Sequence, residues 1–233
     1  MKRKIIFAAI AAAAMVCFSG CKKESPKTSE ELYRDAVTDA AFADEDEIMP
    51  LVSLTESDPM TTWQDGKVLL LTWHNYPDSY PEGENVTIQW GPVWTFTDKE
   101  IASHGKELGD DPEMRLKQLI AFAPDSEHST VTGFWVDPKN VKRPAYQSDP
   151  TVGDMTTDFG ESVDEEFKAW FDDNILWSYY YGDFPWTRLG YTYDWADNGT
   201  EYGMTEFIVE SGAEVKVEFT ETTDEFLNRI KNG

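Results

Sequence analysis

The sequence predicts an α+β fold, a single domain in which short helices are inserted into a largely antiparallel sheet. Three observations carry that expectation. Short apolar or alternating runs, among them "KVLLLTW", "STVTGFWV" and "EVKVEF", recur between turn residues. Helix-opening signals stand between those runs at Thr97, Asp111 and Ser162. All nine tryptophans lie from Trp63 to Trp195, which argues for one aromatic-rich core rather than several small ones.

The domain is expected over residues 49–233. Lys67 to Trp73 follows the turn "QDG", and its short unbroken apolar run suits a buried strand. "NVTIQWGPVWTF" is β-branched and aromatic but interrupted at Gly91-Pro92, so two short strands or one bulged strand are expected. Thr97 and Glu100 form a capping box for a helix reaching about Lys106. Asp111 caps a second helix, with Pro112 at its first position and Met114, Leu116, Leu119 and Ile120 as its apolar set. "STVTGFWV" is the next strand, and residues 140–160 read as a long surface loop. Ser162 and Glu165 make a second capping box ahead of Phe167, Trp170, Phe171, Ile175 and Leu176 at helical spacing. In "FPWTRLGYTYDW", alternation puts Leu189, Tyr191, Tyr193 and Trp195 on one strand face and Arg188, Gly190, Thr192 and Asp194 on the other. "TEFIVESGAEVKVEF" reads as a hairpin turning at Ser211-Gly212, and "TTDEFLNRIKNG" as a closing helix.

Residues 1–20 read as a secretory signal, because Lys2, Arg3 and Lys4 precede an apolar run, Ile5 to Phe18, that is too short to span a membrane. The block Phe18-Ser19-Gly20-Cys21 resembles the lipobox of bacterial lipoproteins. That resemblance implies cleavage before Cys21 and a diacylglycerol with acyl chains such as palmitate on its thiol. The lipid bilayer is then a partner, and the protein is membrane-anchored in the cell envelope, facing the periplasm or the outside. Once the signal is removed Cys21 is the only thiol, which excludes an intrachain disulfide. Residues 21–48 are rich in Lys, Glu, Ser, Asp and Ala and read as a flexible acidic linker, with room for a short helix near "SEELYRDAVTDAAFA". The formal net charge of −24 repels phosphate backbones, so nucleic acid is not an expected partner. The local basic cluster Lys139, Lys142 and Arg143 sits among acidic residues and reads as a solvated loop.

The stretches "LLLTWHNYP", "TGFWVDPKNVKRP", "FPWTRLGYTYDW" and "MTEFIVESGAEVKV" are similar to a set of short exported bacterial proteins, over most of Val68 to Val217. This resemblance implies no activity and no catalytic residue.

Eight residues form the candidate ligand-binding set. Trp73, His74 and Tyr76 lie at a strand end that enters a loop, where sites usually sit. Tyr191, Tyr193 and Trp195 are either a core face or a platform for stacking sugar rings. Arg188 and Asp194, on the opposite face, either anchor a polar ligand or pair locally. His74 with Asp78 has no nucleophile beside it, so a hydrogen-bonded surface histidine fits better than a general base. His104 and His128 lack metal-ligand spacing, and Asp194, Asp197, Asn198 and Glu201 miss the calcium-loop pattern and read as a polar turn. No metal and no cofactor is expected. Walker, dinucleotide and serine-elbow motifs are absent. The favoured reading is a non-enzymatic envelope lipoprotein that binds a glycan or a protein. Its alternatives are an envelope hydrolase of carbohydrate or peptidoglycan, with Trp73, Tyr191 and Trp195 lining a cleft, and a purely structural lipoprotein.

Overall fold

The computed structural model describes residues 25–232, so the expected signal peptide and the lipidation site Cys21 lie outside the described residues. The expected α+β arrangement is present. The main sheet runs β3-β10-β5-β2-β4-β9-β6, with β1 against β2 and every pairing antiparallel. These strands are β1 (Trp63–Gln64), β2 (Lys67–His74), β3 (Asn85–Thr87), β4 (Val93–Thr97), β5 (Thr130–Val136), β6 (Val141–Lys142), β9 (Phe207–Val209) and β10 (Glu214–Thr222). A separate pair joins β7 (Tyr191–Tyr193) to β8 (Tyr202–Thr205). No helix among the described residues is long and apolar enough to cross a membrane.

The hairpin expected at Ser211-Gly212 does not form. The turn is there, with Gly212 at φ +90°, but β10 pairs with β3 and β5 while β9 pairs with β4 and β6. A turn signal is local, whereas the choice of partner strand is made by the rest of the sheet. The short Val209-to-Glu214 link also fixes the sheet's shape. Five residue steps reach at most about 18 Å, and the four strand spacings from β9 to β10 would take about 19 Å across a flat sheet. The sheet therefore curls, and Val68, Leu70, Phe134, Val136, Phe207, Val209 and Val215 form one buried cluster inside the curl.

The opposite face carries the helices. Leu69, Leu71, Trp73, Val131 and Trp135 pack with Ile101 of α2 (Asp98–Ser103), Leu116 and Leu119 of α3 (Pro112–Leu119), and Phe226, Leu227 and Ile230 of α5 (Thr223–Asn232). β2 and β5 are thus covered on both faces, which is why their sequences are unbroken apolar runs rather than alternating ones. Asp111 caps α3 by accepting from the Met114 N–H, as expected. Two other caps differ. Thr97 makes no side-chain cap bond, and Glu100 turns inward to accept hydrogen bonds from Thr205 and Tyr202 instead. The fourth helix, α4 (Glu165–Leu176), is capped by Asp164 rather than Ser162, through bonds from the Glu166 and Phe167 N–H groups.

Residues 29–48, expected within a flexible linker, lie against the domain. Thr28 and Glu31 form a capping box that opens α1 (Ser29–Asp39), with Ala36 and Ala40 buried beneath it. The Arg188 guanidinium donates to the carbonyls of Ala40 and Ala41, and the Tyr179 hydroxyl also donates to Ala40 O. Tyr191 donates to Glu47 O and Tyr193 to Asp39. Four side chains distant in sequence supply the ordering energy that the segment's own composition lacks. Arg188→Ala is expected to raise amide exchange across residues 29–41 roughly tenfold or more, since each bond to a charged group is worth about 1.5–3 kcal/mol. Hydrogen exchange read by mass spectrometry checks this.

Two further expectations are corrected by burial. The loop over 140–160 is not wholly on the surface, because Arg143, Ala145 and Met155 are buried in it. Arg143 is no solvated cation: its Nη2 donates to the carbonyls of Val52, Pro150 and Val152, and its guanidinium lies 4.8 Å from the Phe207 ring centroid.

Candidate functional site

The strand that "FPWTRLGYTYDW" predicts is broken by left-handed backbone at Arg188 (φ +61°) and Gly190 (φ +83°), so only Tyr191–Tyr193 is extended in a ladder. Both of its predicted faces end up occupied. Tyr191 and Trp195 are buried, Trp195 donating its indole N–H to Phe122 O and meeting the edge of Tyr33. Asp194 receives both arms of the Arg115 guanidinium at 2.7 Å, plus the Asn198 amide at 2.9 Å. Asn198 thus points a donor at the carboxylate, which makes this stretch a polar turn rather than a set of oxygen ligands. Arg188 holds α1, and Tyr193 is bonded to Asp39. Five of the eight candidates, Arg188, Tyr191, Tyr193, Asp194 and Trp195, therefore serve the interior and the α1 seam.

The other three, Trp73, His74 and Tyr76, line a cleft of about 1060 Å³. Its walls come from the ends of β2 and β4, the β3–β4 loop, the α3–β5 connection and the chain that follows α4. Much of the wall is aromatic, including Trp73, Trp94, Phe96, Phe122 and Phe184. At the mouth stand Tyr76, Trp90 and Trp177, exposed by 69 %, 97 % and 57 %. Such side chains are usually covered, and an apolar cluster left open to solvent marks an interaction site.

Local sequence explains why two of these rings stay outside. Trp90 sits beside Gly91 (φ +96°) and Pro92, a tight turn that ends the β3 ladder and projects the indole from its tip. Trp177 opens a π-helical turn, Trp177–Tyr181, whose wider winding follows α4 directly and leaves Trp177, Tyr180 and Tyr181 exposed. Such turns are rare and concentrate at functional sites. The Trp177 ring rests on Gly182, where a Cβ would come within 2.8 Å of it. Gly182→Ala is therefore expected to swing that ring away and weaken any ligand stacked on it about two- to tenfold, since an aromatic contact is worth roughly 0.5–1.5 kcal/mol. Calorimetric titration of the variant checks it.

Four polar side chains that line the cleft have a buried atom without a partner: Ser126 Oγ, His128 Nδ1, Asn174 Nδ2 and Glu206 Oε1. An unmatched buried polar atom costs about 1–3 kcal/mol. All four belong to residues of one cleft wall, which is therefore polar as well as aromatic.

His74 is structural rather than catalytic. The Tyr76 N–H donates to its Nδ1 at 3.0 Å. Its Nε2–H then begins a relay through Thr132 and Thr220 that ends on the carbonyl of Tyr80. Both ring nitrogens are used, the residue is buried rather than on the surface, and burial with the nearby His128 pulls its pKa down to about 4. His128, stacked on Phe122 at 4.3 Å, is also lowered, by burial and by Lys117.

Glu206 is the only carboxyl group among the described residues lining the cleft. It sits between β8 and β9, its N–H bonded to Gly190 O, and burial pushes its carboxyl up to about 8 against the opposing pull of Trp186 and Arg143. At neutral pH the cleft is therefore uncharged, inside a chain of net charge −24.

These shifts predict a pH dependence of stability. Glu206 is raised above its unfolded value of 4.5, so its contribution is full below pH 4.5 and lost as pH rises through about 8. His74 is lowered from 6.5, so its contribution is full above pH 6.5 and lost as pH falls through about 4. Between 4.5 and 6.5 the two slopes oppose each other; from 6.5 to 8 the His74 slope has ended and Glu206 removes about 2 kcal/mol, acting in the same direction as Glu100, whose carboxyl is also raised by burial. Denaturant midpoints at pH 6.5 and 8.5 check this, and Glu206→Gln is expected to make the drop smaller by about 2 kcal/mol.

Elsewhere, Asp39, Glu47 and Glu201 bring one oxygen each within 4.8 Å of one another at the α1 seam. Burial and mutual repulsion raise the Glu47 and Glu201 carboxyls there.

Sequence reasoning missed Trp90, Phe122, His128, Asn174, Trp177 and Glu206. The Gly91-Pro92 break marked a turn at Trp90, and the lone acid in "MTEFIV" was the one visible sign of Glu206. The others come from segments that meet only in the folded chain. No family model, curated protein or solved structure matches the chain.

Proposed function

We propose that the chain is an envelope lipoprotein, anchored through Cys21, whose aromatic cleft binds a neutral saccharide without turning it over. The observation that carries this reading is an uncharged cleft with exposed indoles at its mouth and four unpartnered polar atoms in its wall. Sugar rings have apolar C–H faces that stack on indole and phenol rings, and a rim of hydroxyls that needs hydrogen-bond partners. Both requirements are met in one place.

The hydrolase alternative needs two carboxyl groups about 5–9.5 Å apart across the scissile bond. Glu206 has no carboxyl companion among the lining residues, and both nitrogens of His74 are committed. The purely structural alternative fits Tyr191 and Trp195, which are interior, but leaves Tyr76, Trp90 and Trp177 without a purpose.

The test is calorimetric titration of a soluble fragment, residues 22–233, with neutral gluco-, manno- and xylo-oligosaccharides, a uronic-acid oligosaccharide and a long-chain alcohol. Saturable binding of a neutral saccharide, weaker for the acidic one, is expected. Binding of the alcohol alone would overturn the reading in favour of a lipid ligand. Metabolic labelling with a fatty acid analogue, lost in Cys21→Ser, is expected to report the anchor.

A further inference from the structure

We infer that Glu206 is the specificity-determining residue of the cleft, donating a hydrogen bond from its carboxyl group to an oxygen of the bound saccharide and restricting the site to uncharged ligands. This assignment rests on the saccharide reading of the cleft. Its geometric basis is independent of any titration: the side chain is buried, it lines the cleft, and Oε1 has no partner. A carboxyl group placed so is either a neutral donor and acceptor for a ligand or an unscreened anion facing aromatic walls. The second arrangement is the more costly, because burial penalises the carboxylate by more than the charge of Arg143 restores.

The charged and titratable groups around Glu206 come from several elements. Arg143, beyond β6, draws it towards ionisation, while Tyr179 on the π-helical turn and Tyr191 on β7 feel its charge in return. Burial pushes both phenols upward, so neither ionises in the range that matters. Burial pulls the Arg143 guanidinium down to about 10, and it stays cationic through pH 9. His74 and His128 face the same cleft and are already neutral at pH 7, their values lowered by burial. Above neutrality Glu206 is thus the group in the cleft whose charge changes. Ionisation removes the donated proton and sets an anion against the ligand's oxygens. A saccharide carrying its own carboxylate is rejected for the same reason in reverse, since a neutral acid beside an apolar wall gives it no countercharge.

Three proteins and one ligand test this: the wild-type fragment, Glu206→Gln and Glu206→Leu, titrated from pH 6.5 to pH 9 with the neutral oligosaccharide that binds the wild type best. Circular dichroism at each pH confirms the fold. The wild type is expected to bind about tenfold more weakly at pH 9 than at pH 7, the loss following the competent, protonated fraction. Glu206→Gln, neutral and still a donor, is expected to stay within about threefold of the wild type at pH 7 and to show a flat profile, whereas Glu206→Leu is expected to bind, at every pH, about tenfold more weakly than the wild type does at pH 7. If the wild type binds no neutral saccharide at pH 6.5, the saccharide reading falls and the assignment falls with it. Wild-type binding that is flat to pH 9 and unchanged in Glu206→Leu overturns the Glu206 assignment alone.

Discussion

Replacing Trp90 and Trp177 together by alanine is expected to abolish saccharide binding while leaving the fold untouched. Burial of one such ring against a ligand is worth about 1.5–3 kcal/mol, so losing both removes roughly 100-fold or more in affinity. The cost to stability is small because little of either side chain is used by the interior. Trp90 is 97 % exposed at a turn tip, and Trp177 is 57 % exposed on the π-helical turn. Thermal unfolding of the double variant is expected within about 2 °C of the parent, as for surface changes in general. Calorimetry suits the affinity measurement, because the substitutions remove part of the fluorescence. Parental affinity in the double variant would mean that the ligand does not enter by this mouth.

Asp194→Ala is expected to do the reverse. The Asp194 carboxylate holds Arg115 by two bonds of 2.7 Å, and it also accepts from the Ala196 N–H and the Asn198 amide. Its side chain is 1 % exposed and that of Arg115 14 %, so the lost partner leaves a guanidinium with little water to replace it. Breaking one side of such a pair costs about 3–5 kcal/mol, which for a domain of this size lowers Tm by roughly 10 °C. Neither residue lines the cleft, and the folded fraction is expected to bind ligand with affinity within about twofold of the parent. Because the penalty lies in the orphaned cation, Arg115→Ala combined with Asp194→Ala is expected to cost less than the sum of the two single changes. Equal and additive losses would show that the pair carries no coupling.

What was legible in the sequence follows from how far each signal reaches along the chain. β2 and β5 were visible because burial on both faces writes an unbroken apolar run, and the Asp111 cap was visible because it acts on the next turn. Glu100 matched a capping box letter for letter, yet Thr205 and Tyr202 offered it better partners from more than a hundred residues away. Arg188 and Asp194 were singled out correctly as unusual in an aromatic stretch. Their partners, α1 and Arg115, lie far off in sequence, so the unusual residues looked like a site when they were fasteners. The cleft was half visible. Trp73, His74 and Tyr76 sit together at the end of β2, but the polar atoms facing them come from three other segments.

The order of strands has a kinetic consequence. β10 is the last strand in the chain but an inner one in the sheet, filling the gap between β3 and β5. Until it arrives, β5 presents an open edge and the inner apolar cluster lacks Val215 and its neighbours. Contacts between such distant segments close slowly, because loop entropy is spent before the pairing rewards it. The chain is therefore committed to assembling its sheet late and nearly at once, with its acidic surface keeping partly assembled molecules apart while the final strand finds its place.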